Sequence, residues 1–80
     1  MTDAISAVPA PTVVLLTDFG LTDPYVGQMK GVLHTLAPQA MIMDLSHGVP
    51  AYRVETGAFF LASTYRYFPP GAVFVAVVDP

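Results

Sequence analysis

Three of the six acidic residues in this 80-residue chain stand directly after an apolar run. Val13-Val14-Leu15-Leu16-Thr17 leads to Asp18, Met41-Ile42-Met43 to Asp44, and Ala72 through Val78 to Asp79. Runs of that length, rich in valine and leucine, predict buried strands. In open parallel sheets, ligands bind outside the carboxyl ends of the strands. Carboxylates at those ends have two kinds of work available. They can accept backbone N–H groups and cap the following loop, or they can accept from ligand hydroxyls. The two oxygens of one carboxylate suit the adjacent hydroxyls of a ribose, the role acidic residues take in dinucleotide-binding folds.

Other residues carry weaker signals. Asp23 precedes Pro24 where a helix is expected to begin, which makes Asp23 an N-cap candidate as well as a ligand candidate. Asp44 and His47 lie three apart, a spacing open to metal or acid–base chemistry and equally to a hydrogen-bonded structural histidine in a Gly/Pro loop. His34 falls outside the apolar stripe of its helix and reads as a solvated surface residue. Tyr25, Tyr65 and Tyr67 read as packing. Tyr52, just before the second helix, could instead cover a flat ligand ring. Asp18-Phe19-Gly20 also occurs as a string in protein kinases, but no kinase lysine strand or catalytic loop precedes it here, so that match carries no weight.

The elements that must position these residues alternate. A strand is predicted over about 13–17, a helix from Pro24 to about Leu36, a strand over about 40–44, a helix over about 53–66 and a strand over 72–78. The first helix shows Val26, Met29, Val32 or Leu33, and Leu36 on one face. The second shows Val54, Ala58, Leu61 and Tyr65. Ala37-Pro38 ends the first helix, and Phe68-Pro69-Pro70-Gly71 separates the second from the last strand. Continuous Val-rich strands between amphipathic helices imply an α/β fold with a parallel sheet, βαβαβ in order, with right-handed crossovers. Residues 1–12, with three Ala, two Pro, two Thr and one Ser, read as a flexible tail.

Composition narrows the classes. The chain is 54% hydrophobic and 11% charged, too apolar for disorder. A domain this short buries only ~60% of the surface of its unfolded chain, so apolar surface is expected to stay uncovered. Three strands cannot cover both helices and a two-faced sheet, which points to an incomplete domain. There are no cysteines, which excludes thiolate catalysis and disulfides. Three basic residues, Lys30, Arg53 and Arg66, against six acidic ones argue against nucleic-acid binding. No apolar run reaches the ~20 residues of a membrane helix. The first residues lack a signal peptide's basic and apolar regions, so a cytoplasmic location is expected.

Three blocks together resemble a known family. They are Thr17-Asp18-Phe19-Gly20 with Asp23, Tyr25-Val26-Gly27 and Met29-Lys30-Gly31-Val32; Asp44 with Ser46-His47; and Tyr67 through Gly71 with Val73 through Pro80. Over about residues 13–80 the chain resembles the N-terminal domain of the S-adenosyl-L-methionine (SAM) hydroxide adenosyltransferases, relatives of the fluorinase and chlorinase enzymes. The resemblance implies attack of water or hydroxide on ribose C5′ of SAM, releasing methionine and giving adenosine, with SAM as substrate and no metal or redox cofactor. It implies a larger N-terminal domain followed by a C-terminal β domain, and a homotrimer with sites between subunits, so that these 80 residues alone would be inactive.

By the same resemblance, Asp18 matches the aspartate on the ribose hydroxyls, within the motif that includes Phe19 and Gly20. Asp23 matches an acidic position near the methionine part, and Tyr52 an aromatic position lining the pocket. Asp79 matches the catalytic aspartate of an Asp, Arg and His set around the attacking water, where the halogenases resemble a tyrosine. The Arg and His of that set would lie beyond Pro80. Arg53 departs from the acidic residue common at its position. The alternatives are a halogenase-like SAM enzyme and a non-catalytic nucleoside-binding or inert domain.

Overall fold

The fold is that of a computed structural model describing residues 10–80. Three strands and two helices alternate: β1 Thr12–Thr17, α1 Tyr25–Leu36, β2 Met41–Ser46, α2 Val54–Thr64 and β3 Val73–Val77, with one 3-10 turn at Tyr65–Tyr67. The strands form one sheet in the order β2-β1-β3, and both pairings are parallel. The βαβαβ expectation is therefore met. Of the expected tail, residues 1–9 lie outside the described residues, and Thr12 already belongs to β1.

The core sits on β1. Val13, Val14, Leu15, Leu16 and Thr17 are all buried, and Val14, Leu15 and Thr17 are fully so. A strand apolar on both faces fits only between neighbours on both sides, which is why this one is central. The flanking strands are shorter of cover. Met41 is 62% exposed on β2 and Val73 51% on β3. Of the stripe expected on α1 only Val26 is buried, while Val32 and Leu36 are exposed. Of the stripe expected on α2, Leu61 is half-buried, Val54, Ala58 and Tyr65 are exposed, and Tyr65 falls in the 3-10 turn. Val54, Ala58 and Leu61 line an open apolar groove of about 220 Å³ with Leu16, Ala76 and Val78. Gly57 lets α2 come close, because a Cβ there would stand 3.3 Å from Val78 Cγ2. Phe68 meets Phe74 edge to face at 5.6 Å, anchoring the approach to β3.

Two local expectations need correction. Asp44 does not follow β2 but lies inside it, since the strand runs on to Ser46. Its register on β1 slips there, with Leu15 beside Asp44 and Leu16 beside Ser46, leaving Leu45 as the extra residue of a bulge. An edge strand can hold a charged side chain at such a position, and Lys30 and His47 both bond to it. Asp23 does not cap α1. Pro24 occupies the N-cap position, φ −81° and ψ 4°, without a side-chain cap hydrogen bond. Asp23 thus stands one residue too early to accept from the first free N–H groups.

Candidate functional site

The strand order fixes where a site can form. The chain leaves β1 toward β2, then passes back across β1 to reach β3. The strand order therefore diverges about β1, and the space outside the neighbouring carboxyl ends of β1 and β3 at that divergence is where open α/β sheets bind ligands. Asp18 follows β1 and Asp79 follows β3 at this point. The Asp18 N–H donates to the Val77 carbonyl at 3.2 Å, extending the ladder by one residue. The Asp79 N–H donates to Asp18 Oδ2 at 3.3 Å, a long hydrogen bond. The half-buried Asp18 carboxylate is thus held between the two strand ends, beside the exposed Asp79.

The turn after β1 is built by its neighbours. Thr17 is fully buried, and its Oγ1 accepts the Phe19 N–H at 3.1 Å. The capping role considered for Asp18 in its own loop is therefore performed by Thr17, and Asp18 instead accepts from across the sheet. Gly20 has φ +68°, a conformation that favours glycine, and its N–H donates to the His47 carbonyl at 2.8 Å. The Phe19 ring meets Tyr25 edge to face, 6.1 Å between centroids.

The loop after β2 joins the same end of the sheet. The Val49 N–H donates to the Thr17 carbonyl at 3.3 Å, and Val49 is buried. His47 is 7% exposed and bonded at both ring nitrogens, Nδ1 to Thr17 Oγ1 and Nε2 to Asp44 Oδ1, each at 2.7 Å. The structural reading of His47 is the one these contacts match. Lys30 Nζ donates to Asp44 Oδ2, also at 2.7 Å. Tyr52 is 71% exposed at φ +63°, the third residue of a turn closed by the Arg53 N–H to the Pro50 carbonyl. A tyrosine there holds backbone strain of ~1–2 kcal/mol that glycine would not. Strain of this kind clusters at ligand-facing turns.

Asp18, Phe19, Gly20 and Asp79 are thus brought together at the β1–β3 divergence. Asp23 and Tyr52 stand exposed on the loops after β1 and β2. Thr17 and Lys30 fall within the blocks that carry the resemblance, but receive no role in the sequence analysis. A threonine closing a strand two residues before a loop N–H is the local signal for the first. No local signal marks Lys30, whose partner lies 14 residues away. Among the described residues, no group of three or more His, Cys, Asp or Glu could hold a metal ion.

Burial by itself raises the Asp44 carboxyl, but the hydrogen bonds from Lys30 and His47, with the Lys30 charge, outweigh it and hold the group below its ordinary value. A carboxyl depressed in the folded state contributes stability that is present above its unfolded value, near pH 4, and lost as pH falls through the folded one. Asp44→Asn is expected to flatten the fall of stability between about pH 5 and pH 2. With the side chain 42% exposed, solvent screening keeps the effect below about 1 kcal/mol. Urea midpoints across that range check it, and identical acid slopes for the two proteins would contradict it.

Residues 13–80 match the family model described as the SAM hydroxide adenosyltransferase N-terminal domain. An (R)-S-adenosyl-L-methionine hydrolase of Thermus thermophilus is 46% identical over 68 residues, covering 85% of this chain and 27% of that protein. A fluorinase of Actinoplanes is 34% identical over 70 residues, 88% of this chain and 24% of that protein. The crystal structure of a conserved hypothetical protein from Thermus thermophilus superposes with a TM-score of 0.78 at 45% identity, over 89% of this chain and 29% of that one. The chain spans about a quarter of the length of the curated relatives it matches.

Proposed function

This chain belongs to the SAM hydroxide adenosyltransferase family, and we propose that the whole protein hydrolyses SAM to adenosine and L-methionine. The observation that carries the reading is the pairing of Asp18 and Asp79 across the β1–β3 divergence. In this reading Asp18 receives the ribose hydroxyls with the carboxylate oxygen that Asp79 N–H leaves free. Phe19 and Gly20 shape the turn beside it, Asp23 lies toward the methionine ammonium, and Tyr52 covers the ring system. Asp79 accepts a hydrogen bond from water and aims it at C5′. A C5′–O bond forms as the C5′–S bond breaks, methionine departs as a neutral thioether, and the water proton passes to Asp79 or solvent.

The leaving group is a sulfonium and needs no acid. The protein's task is to hold water and C5′ in line, and such orientation can supply up to ~7–11 kcal/mol of the barrier. The chemistry asks for no cofactor. A trimeric assembly with sites between subunits and a cytoplasmic location belong to the same reading. The greater identity to a hydrolase than to a fluorinase favours water over halide as nucleophile.

The test is product analysis on the full-length protein in water enriched in heavy oxygen. Equal amounts of adenosine and methionine are expected, with the label in the adenosine 5′-hydroxyl. Intact SAM, or adenosine free of label, would refute the assignment.

A further inference from the structure

His47 does no chemistry in the proposed reaction, yet it is buried beside the site with both ring nitrogens bonded. The partners of its two ring nitrogens give its hydrogen bonds a direction. The Asp44 carboxylate, which also accepts from Lys30, can only accept, so Nε2 donates its proton to Oδ1 at 2.7 Å. In a neutral imidazole the other nitrogen is then bare. Thr17 Oγ1, which accepts the Phe19 N–H, gives its own proton to Nδ1 at 2.7 Å. Asp44 accepts a second bond from Lys30 on its other oxygen. The chain of donation runs from the Phe19 amide through Thr17 and His47 to Asp44, with Lys30 closing it from α1.

Three links fasten the loop after β1 to the loop after β2. They are the Thr17–His47 side-chain bond, the Gly20 N–H to the His47 carbonyl, and the Val49 N–H to the Thr17 carbonyl. Asp18 lies between Thr17 and Gly20, so its backbone is held at both sides by contacts to His47 or its neighbours. We propose that His47, as the neutral Nε2–H tautomer, is a positioning residue that sets Asp18 for the ribose by clamping Thr17. The role rests on the functional reading above, since it needs Asp18 to bind a nucleoside.

Three substitutions in the full-length protein separate the links. Asparagine can place its amide oxygen where Nδ1 stands and still accept from Thr17. Glutamine can place its amide nitrogen where Nε2 stands and bond only Asp44. His47→Ala is expected to weaken adenosine binding about tenfold, the scale of losing one buried hydrogen bond. His47→Asn should recover most of that loss and His47→Gln little of it. Combined with Asp18→Asn, His47→Ala should cost less than the sum of the two, because both act on one contact. General destabilisation would not rank asparagine above glutamine.

The wild-type imidazole nitrogens, observed by NMR, should show a protonated Nε2 and a bare Nδ1, a measurement that needs no variant to fold. A proton on Nδ1 overturns the proposal, as does wild-type affinity in His47→Ala. If the wild-type protein binds neither adenosine nor SAM, the functional reading fails instead. The positioning role fails with it, while the tautomer measurement still judges the clamp.

Discussion

Asp18→Asn in the full-length protein is expected to weaken SAM and adenosine binding by about 1.5–3 kcal/mol, the scale of hydrogen bonds to a charged group. The structure explains why the loss should fall on binding rather than on folding. Among the described residues, the hydrogen bond this carboxylate makes is one long bond from the Asp79 N–H to Oδ2. An asparagine carbonyl can keep that bond. It cannot also offer a second charged acceptor, because its other atom is an NH₂ group that donates. Two ribose hydroxyls facing the substituted amide would therefore lose a charge-assisted partner while the turn, built by Thr17 and Gly20, stays in place. A nucleoside lacking both ribose hydroxyls should bind wild type and variant alike. Calorimetry with the three ligands decides the matter. Equal adenosine affinity in a folded variant would leave Asp18 a structural link between β1 and β3.

Much of this arrangement was legible because the strands are short and unambiguous. Continuous apolar runs with proline-marked breaks located β1, α1, β2, α2 and β3 to within about two residues. What could not be read was phase. The sequence Met41-Ile42-Met43-Asp44 looks like a strand ending at its charge. The bulge at Leu45 carries β2 on to Ser46, and only pairing with β1 shows it. Asp44 therefore moved from the crevice group to a structural pair with Lys30 and His47. The cap at Asp23 failed for a similar reason, since Pro24 shifted the helix start by one residue. The amphipathic stripe on α1 was legible as a pattern, but which of its residues are covered depends on neighbouring surface, and only Val26 is buried.

The site itself divides along the same line. Asp18 and Asp79 were visible as residues after strands, but their contact across the sheet follows from the order β2-β1-β3. Strand order is a long-range property that no local run of residues encodes. Had β3 added beside β2, Asp79 would stand two strands from Asp18. In the proposed reaction this adjacency lets a nucleophile-orienting group and a ribose-holding group share one site.

Asp79→Asn is expected to lower turnover by about 10²–10⁴-fold, the range of a lost general base, while leaving SAM affinity within a few-fold. Asp79 is exposed here and acts on water in the proposed reaction, whereas Asp18 acts on substrate. Its backbone N–H, which supports Asp18, survives the substitution. The same charge bears on the choice of nucleophile. An anion 4 Å from a carboxylate is repelled by ~1 kcal/mol in bulk water and ~4 kcal/mol at an effective dielectric of 20, so closing the site over Asp79 strengthens discrimination against halide. Water meets no such repulsion and gains an acceptor. In molar chloride the wild-type protein should therefore still yield adenosine, with at most traces of 5′-chloroadenosine. Asp79→Asn should lose most hydrolysis and raise the chlorinated share of what product remains. Chromatography of the products at several chloride concentrations reads both effects. Dominant 5′-chloroadenosine from the wild type, or wild-type hydrolysis by the variant, would remove Asp79 from the role given to it.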